Sequence, residues 1–139
     1  MATSNVIYLG ELRTQATHLS SNSNIVTDAP IDNQGKGEAF SPTDLMATSL
    51  ASCMLTILGI YCINNSINMT DSNAEITKIM SAKLPRRIVE IKLELNLIID
   101  VEIDEKLKTI LDRVARTCPV SLSLHPEINQ NITINFKSK

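Results

Sequence analysis

Residues 41–55 read SPTDLMATSLASCML. Ser41 can cap a helix N-terminus, Pro42 suits the first helical position, and Asp44 stands where a capping box wants an acceptor. The helix these residues open is predicted to run to about Asn64, where NNSINMTDSN dissolves into loop. From Leu45 to Ile63, nineteen successive residues carry no charge. A run of that length could cross a bilayer. Against this, it contains Thr48, Ser49, Ser52, Thr56 and Gly59, and no Lys or Arg between Lys36 and Lys78 anchors it. A helix apolar all round is otherwise the buried middle of a domain or an oligomer. A buried helix is therefore the expectation, and a membrane anchor over 45–63 the weaker alternative. Near its centre stands Cys53, either a small core residue or a working nucleophile.

On either side of this helix the patterns change. Upstream, NVIYLGELRT (5–14) mixes apolar and polar positions as a strand does, SSNSN (20–24) is a turn cluster, and IVTDAP (25–30) is a short strand ended by Pro30. IDNQGKGEAF (31–40) reads as a loop, so the first forty residues suggest a small antiparallel sheet. Downstream, AEITKIMSAKL (74–84) and RIVEIKLELNLII (87–99) are predicted strands with Pro85 in the turn between them. In the second, Val89, Ile91, Leu93, Leu95 and Leu97 alternate with Glu90, Lys92, Glu94 and Asn96, giving one buried and one wet face. Asp104 opens an amphipathic helix whose stripe is Leu107, Ile110, Leu111 and Val114, with Cys118 four further on. Pro119 starts a short helix, VSLSL, and Ile132, Ile134 and Phe136 alternate as a last strand.

This order predicts an α+β fold, a single domain over 1–139, with largely antiparallel sheets around a long buried helix. One sheet face cannot cover a helix so apolar, so a homodimer is expected. The 139 residues are 43% hydrophobic and 20% charged, which argues against disorder. The net charge is −2, there is no basic run and aromatics are few, so nucleic-acid binding is not expected. The opening MATSNVIYLGELR lacks a signal-peptide pattern, and a cytoplasmic protein is expected.

Cys53, Cys62 and Cys118 make an odd count with no CxxC or Cys/His spacing, so no zinc site or disulfide framework is indicated. Cys118 precedes Pro119 and can N-cap the short helix, where the helix N-terminus would stabilise a thiolate. Cys62 falls on the opposite face of the long helix from Cys53 and reads as structural. His18 and His125 stand alone, in solvated or capping roles, and Arg13 could sit beside a thiolate or face solvent.

Two of these segments together resemble one family. SPTDLMATSLASCM is similar to the central-helix motif of the OsmC/Ohr proteins, the osmotically inducible and organic hydroperoxide resistance proteins, and RTCPVSLSL to their second cysteine motif. TDAP…GKGEAFSP resembles the family's approach to the helix, and the likeness extends over nearly the whole chain. The resemblance implies an intertwined OsmC-like homodimer with sites at the subunit interface and cysteine-dependent reduction of organic hydroperoxides. It assigns Cys53 as the peroxidatic cysteine, Cys118 as the resolving one and Arg13 as the active-site cation. It implies no metal, flavin or haem, and a dithiol reductant, a lipoylated protein in the Ohr branch. Where the family often carries Glu after the helix-opening proline, this chain has Thr43. Asp44 is the nearest acid but belongs to the helix cap, and Glu38 could take the place of the missing carboxylate. Apolar surroundings would favour an organic peroxide, since each buried methylene gains about 0.8 kcal/mol. The alternative is a dimeric binding protein of the same fold for a small apolar ligand, with the cysteines vestigial or sensing oxidants.

Overall fold

The alternation along 88–99 becomes the strand on which the larger half of the protein is built. The computed structural model describes residues 1–139, in two compact units, Met1–Met46 and Ala47–Lys139.

The first unit is a three-stranded antiparallel sheet of β1 (Ser4–Gly10), β2 (Arg13–His18) and β3 (Asn24–Asp28), followed by one 3-10 turn at Ile31–Asn33. The stretch 5–14, read as one strand, is a hairpin. Its loop, Glu11-Leu12, has both residues at positive φ, as a two-residue primed turn requires. Neither residue is a usual choice for that geometry, so no turn signal is visible at these positions. Val6, Ile7, Tyr8 and Leu9 are all more than half exposed, so β1 presents apolar side chains on both of its faces.

The helix α1 (Pro42–Asn64) begins in the first unit and continues into the second. Its opening is the capping box expected from Ser41 and Asp44. The Asp44 N–H donates to Ser41 Oγ at 3.0 Å, and the Ser41 N–H donates to Asp44 Oδ2 at 2.9 Å. The second unit adds β4 (Asn73–Met80), β5 (Ile88–Ile99), α2 (Glu105–Ala115), α3 (Pro119–Ser123) and β6 (Asn129–Ser138). Its sheet has the order β4-β5-β6.

β4 pairs with β5 antiparallel, but β5 pairs with β6 parallel, so this sheet is mixed rather than antiparallel. The reason is the connection: a parallel neighbour needs a crossover, and α2 with α3 supplies it. Ile91, Leu93, Leu95, Leu97 and Ile99 of β5 are buried with Leu50, Met54, Leu58 and Cys62 of α1 and Leu111 and Ala115 of α2 in one core. Each fully buried leucine is worth about 1.5–3 kcal/mol. Truncating Leu95 to alanine would cost about 2–5 kcal/mol through the cavity left behind.

Within the single chain α1 is buried on one side. Its buried residues form one stripe, Ala47, Leu50, Ala51, Met54, Leu58 and Cys62, while Met46, Ile60 and Ile63 are exposed in the single chain. By length and apolarity α1 could cross a membrane, but that stripe is the core of the second unit.

Candidate active site

Cys53 lies between buried Ala51 and Met54 and exposed Ser52, at the edge of the buried stripe of α1. It is half-buried and packs against the core.

Cys118 is brought to the same core by a series of local signals. Asp104 caps α2, accepting the Leu107 N–H at 2.7 Å. Near the other end, Arg116 donates through Nε and Nη2 to both carboxylate oxygens of Asp112, each at 3.0 Å. A residue before proline is held out of the helical region. Cys118 accordingly adopts φ −65°, ψ 139° and becomes the N-cap of α3. Its Sγ accepts the Ser121 N–H at 3.2 Å. Ser121 is pinned in turn to β6: its Oγ donates to Gln130 Oε1 at 2.6 Å, and Gln130 Nε2 donates to its carbonyl at 3.0 Å.

Cys53 and Cys118 lie close enough for each other's charge to matter, and both are free thiols. They differ in environment, since Cys118 is fully buried and Cys53 half-buried. Burial pushes the Cys118 thiol above its ordinary value, and contact with Cys53 pushes it the same way. The N–H groups of Ser121 and Val120 oppose this and do not overcome it. The cap acts in the expected direction, favouring the thiolate, but desolvation outweighs it.

The first unit holds Arg13 and Glu38. Arg13 begins β2, and its Nη1 lies 3.5 Å from Glu38 Oε2. Glu38 is held by the folded loop before α1. The N–H groups of Gly35 and Gly37 donate to Pro30 and Ala29 carbonyls at 3.0 and 3.2 Å. A Cβ on Gly35 would lie 1.7 Å from the Ala29 oxygen, so only glycine fits that approach. The Glu38 N–H then donates to Asp28 Oδ2 at 3.0 Å. Asp28 was not singled out from the sequence. A single acid at the end of a strand gives no sign of burial, yet it is fully buried.

Comparison with known proteins bears on this arrangement. A family model described as OsmC-like protein matches residues 35–133. This chain belongs to the OsmC-like family. Its fold is similar to that of a candidate osmotic stress induced and detoxification response protein from Psychrobacter arcticus 273-4, at 53% identity. That match covers 97% of this chain and 96% of that one, with a TM-score of 0.88. An organic hydroperoxide resistance protein OsmC from Legionella pneumophila shares the fold at 14% identity, with a TM-score of 0.70 and 97% and 98% coverage. An organic hydroperoxide resistance protein from Elizabethkingia anophelis does so at 14% identity, with a TM-score of 0.71 and 99% and 98% coverage. No curated protein matches the chain.

In this OsmC-like chain the remaining singled-out residues take simpler places. Thr43 Oγ1 lies 3.2 Å from Ser41 Oγ within the helix cap. Cys62 is buried among the core residues, and burial first, then the charge of Asp100, raise its thiol above the ordinary value. His18 Nδ1 meets Ser21 Oγ at 2.7 Å, and His125 Nδ1 accepts the Glu127 N–H at 3.1 Å, so both close local turns. No three His, Cys, Asp or Glu side chains converge as metal ligands would.

Proposed function

We propose that this OsmC-like protein reduces organic hydroperoxides through Cys53 and Cys118 in oxidative-stress defence. The observation that carries the reading is the nearness of two unlike free thiols: a half-buried Cys53 beside a buried Cys118 whose ionisation burial disfavours. The Cys53 thiolate attacks the terminal oxygen of the hydroperoxide. The O–O bond breaks, the alkoxide leaves with a proton as the alcohol, and Cys53 becomes a sulfenic acid. The Cys118 sulfur then displaces the hydroxyl and its own proton is released, giving a Cys53–Cys118 disulfide and water. A dithiol reductant, for which a lipoylated protein is the candidate, returns two electrons and two protons.

Arg13 is the cation this reading assigns to the thiolate and to the charge on the departing oxygen, with Glu38 holding it. The names of the Legionella and Elizabethkingia proteins point to the same substrate class. The reading includes a homodimer, which the exposed apolar residues of β1 and of the Ile60–Ile63 end of α1 support. It also includes a cytoplasmic setting that keeps the thiols reduced, with neither a membrane nor nucleic acid as partner.

A second reading, a binding protein for a small apolar ligand, is favoured by one feature. A groove of about 480 Å³ beside α1 is lined by Leu55, Gly59, Ile63, Ile67 and Met69.

The test is mass spectrometry with peptide mapping of the reduced protein after one equivalent of an organic hydroperoxide. A Cys53–Cys118 disulfide, seen as a loss of roughly two mass units per subunit, supports the peroxidase. Reduced thiols beside surviving peroxide sink it and turn attention to the groove.

A further inference from the structure

The first unit contains two buried polar atoms without a partner: Nε of Arg13, a donor, and Oδ1 of Asp28, an acceptor. They belong to residues that sit directly opposite one another. Arg13 opens β2, Asp28 closes β3, and the antiparallel register pairs them. Residues directly opposite in an antiparallel pair project from the same face of the sheet. Asp28 is fully buried, and a carboxylate in that position needs a cation and a filled set of hydrogen bonds. One of its oxygens is already used, since Oδ2 accepts the Glu38 N–H at 3.0 Å. The guanidinium is likewise half engaged, with Nη1 at 3.5 Å from Glu38 Oε2. Its donors form a rigid planar fork, so fixing Nε as well as Nη1 fixes the plane.

We propose that Asp28 is a positioning residue for Arg13, its Oδ1 accepting the Arg13 Nε–H in the reduced protein. Asp28 then ties together the strand that carries the arginine and the loop that carries Glu38. Nε–H and Nη1 lie on different sides of the guanidinium, so the two carboxylates hold it from two directions and fix its plane. This orientation rests on the peroxidase reading for its use, but the contact itself does not.

Two measurements decide it. The first is the scalar coupling across the hydrogen bond between Arg13 Nε and Asp28 Cγ in labelled wild-type protein, which requires neither a variant nor activity. A detectable coupling is expected, and its absence overturns the proposal. The second is a double-mutant cycle on the rate at which an organic hydroperoxide oxidises Cys53. Asp28→Asn keeps the size of the side chain but cannot accept both N–H groups. It is expected to slow the reaction by about 10- to 100-fold through loss of orientation. In an Arg13→Lys background, where the fork is gone, the same substitution should change the rate by less than about twofold. Equal losses in both backgrounds would show Asp28 acting on the fold alone and would overturn the positioning role. If the wild-type protein leaves the peroxide untouched, the peroxidase reading fails, while the coupling still decides the contact.

Discussion

Two cysteines on one helix, nine residues apart, have opposite surroundings. Cys53 sits at the edge of the buried stripe beside a second sulfur, and Cys62 sits within that stripe near the carboxylate of Asp100. Helix, residue type and apolar neighbours are shared. What differs is access and the charge next door. Cys62 is fully enclosed, and a negative charge nearby disfavours its thiolate further. Cys53 is only half-buried and, in the proposed mechanism, has in Cys118 the thiol that resolves its sulfenic acid. On that mechanism reactivity belongs to the turn of the helix rather than to the cysteine.

The comparison breaks most sharply on activity. Cys53→Ser should lower the rate of hydroperoxide consumption by about 10³-fold or more, as loss of a nucleophile does. Cys62→Ala should leave that rate within about twofold. Equal losses would erase the distinction.

Cys118→Ser should spare the first turnover and stop the cycle. The stranded sulfenic acid then proceeds to the sulfinic acid, a gain of roughly 32 mass units on the Cys53 peptide. Continued turnover with Cys53 unmodified would remove Cys118 from the mechanism.

On stability the order reverses. Cys62→Ala opens a small cavity in the core and should cost about 1 kcal/mol in urea unfolding, whereas Cys53→Ser at the stripe's edge should cost less.

The smallest effect is the pH dependence. Cys62 and Cys118 both titrate above their ordinary value of 9.0 when folded. The unfolded chain therefore loses these protons first as pH rises, and alkali favours it. Stability from this source is whole below pH 9.0, falls above it, and is gone once the folded thiols also ionise. Unfolding free energy measured against pH should decline on that side, and less steeply in Cys62→Ala. An unchanged slope would place the ionisation elsewhere.

Local chemistry made part of this legible from the sequence. The start of α1 could be read because Ser41, Pro42 and Asp44 each have one strong positional meaning, and β5 because Ile91 to Leu97 alternate without interruption. The place of Cys118 as the cap of α3 followed from the proline after it. What stayed hidden was non-local or unusual. The parallel pairing of β5 with β6 depends on register between distant strands, which no window of sequence contains. The β1–β2 turn uses Glu11 and Leu12 in a conformation those residues seldom take. The ion pair of Arg13 with Glu38 could be named as a candidate, but the burial of Asp28 beneath them required the strands to be laid side by side. The net direction of the Cys118 ionisation was not legible, because a cap is visible in sequence and desolvation is not.

The hydrogen bonds from Gln130 to Ser121 have a consequence for synthesis on the ribosome. Cys118 is translated before the strand that pins its helix, so a nascent chain passes through an interval in which both sulfurs exist but the second has no fixed address. Under the proposed chemistry, Cys53 would during that interval have no anchored partner to intercept its oxidised form. The last strand would then act as a timing element, its arrival in register closing a window of oxidative vulnerability that only the growing polypeptide experiences.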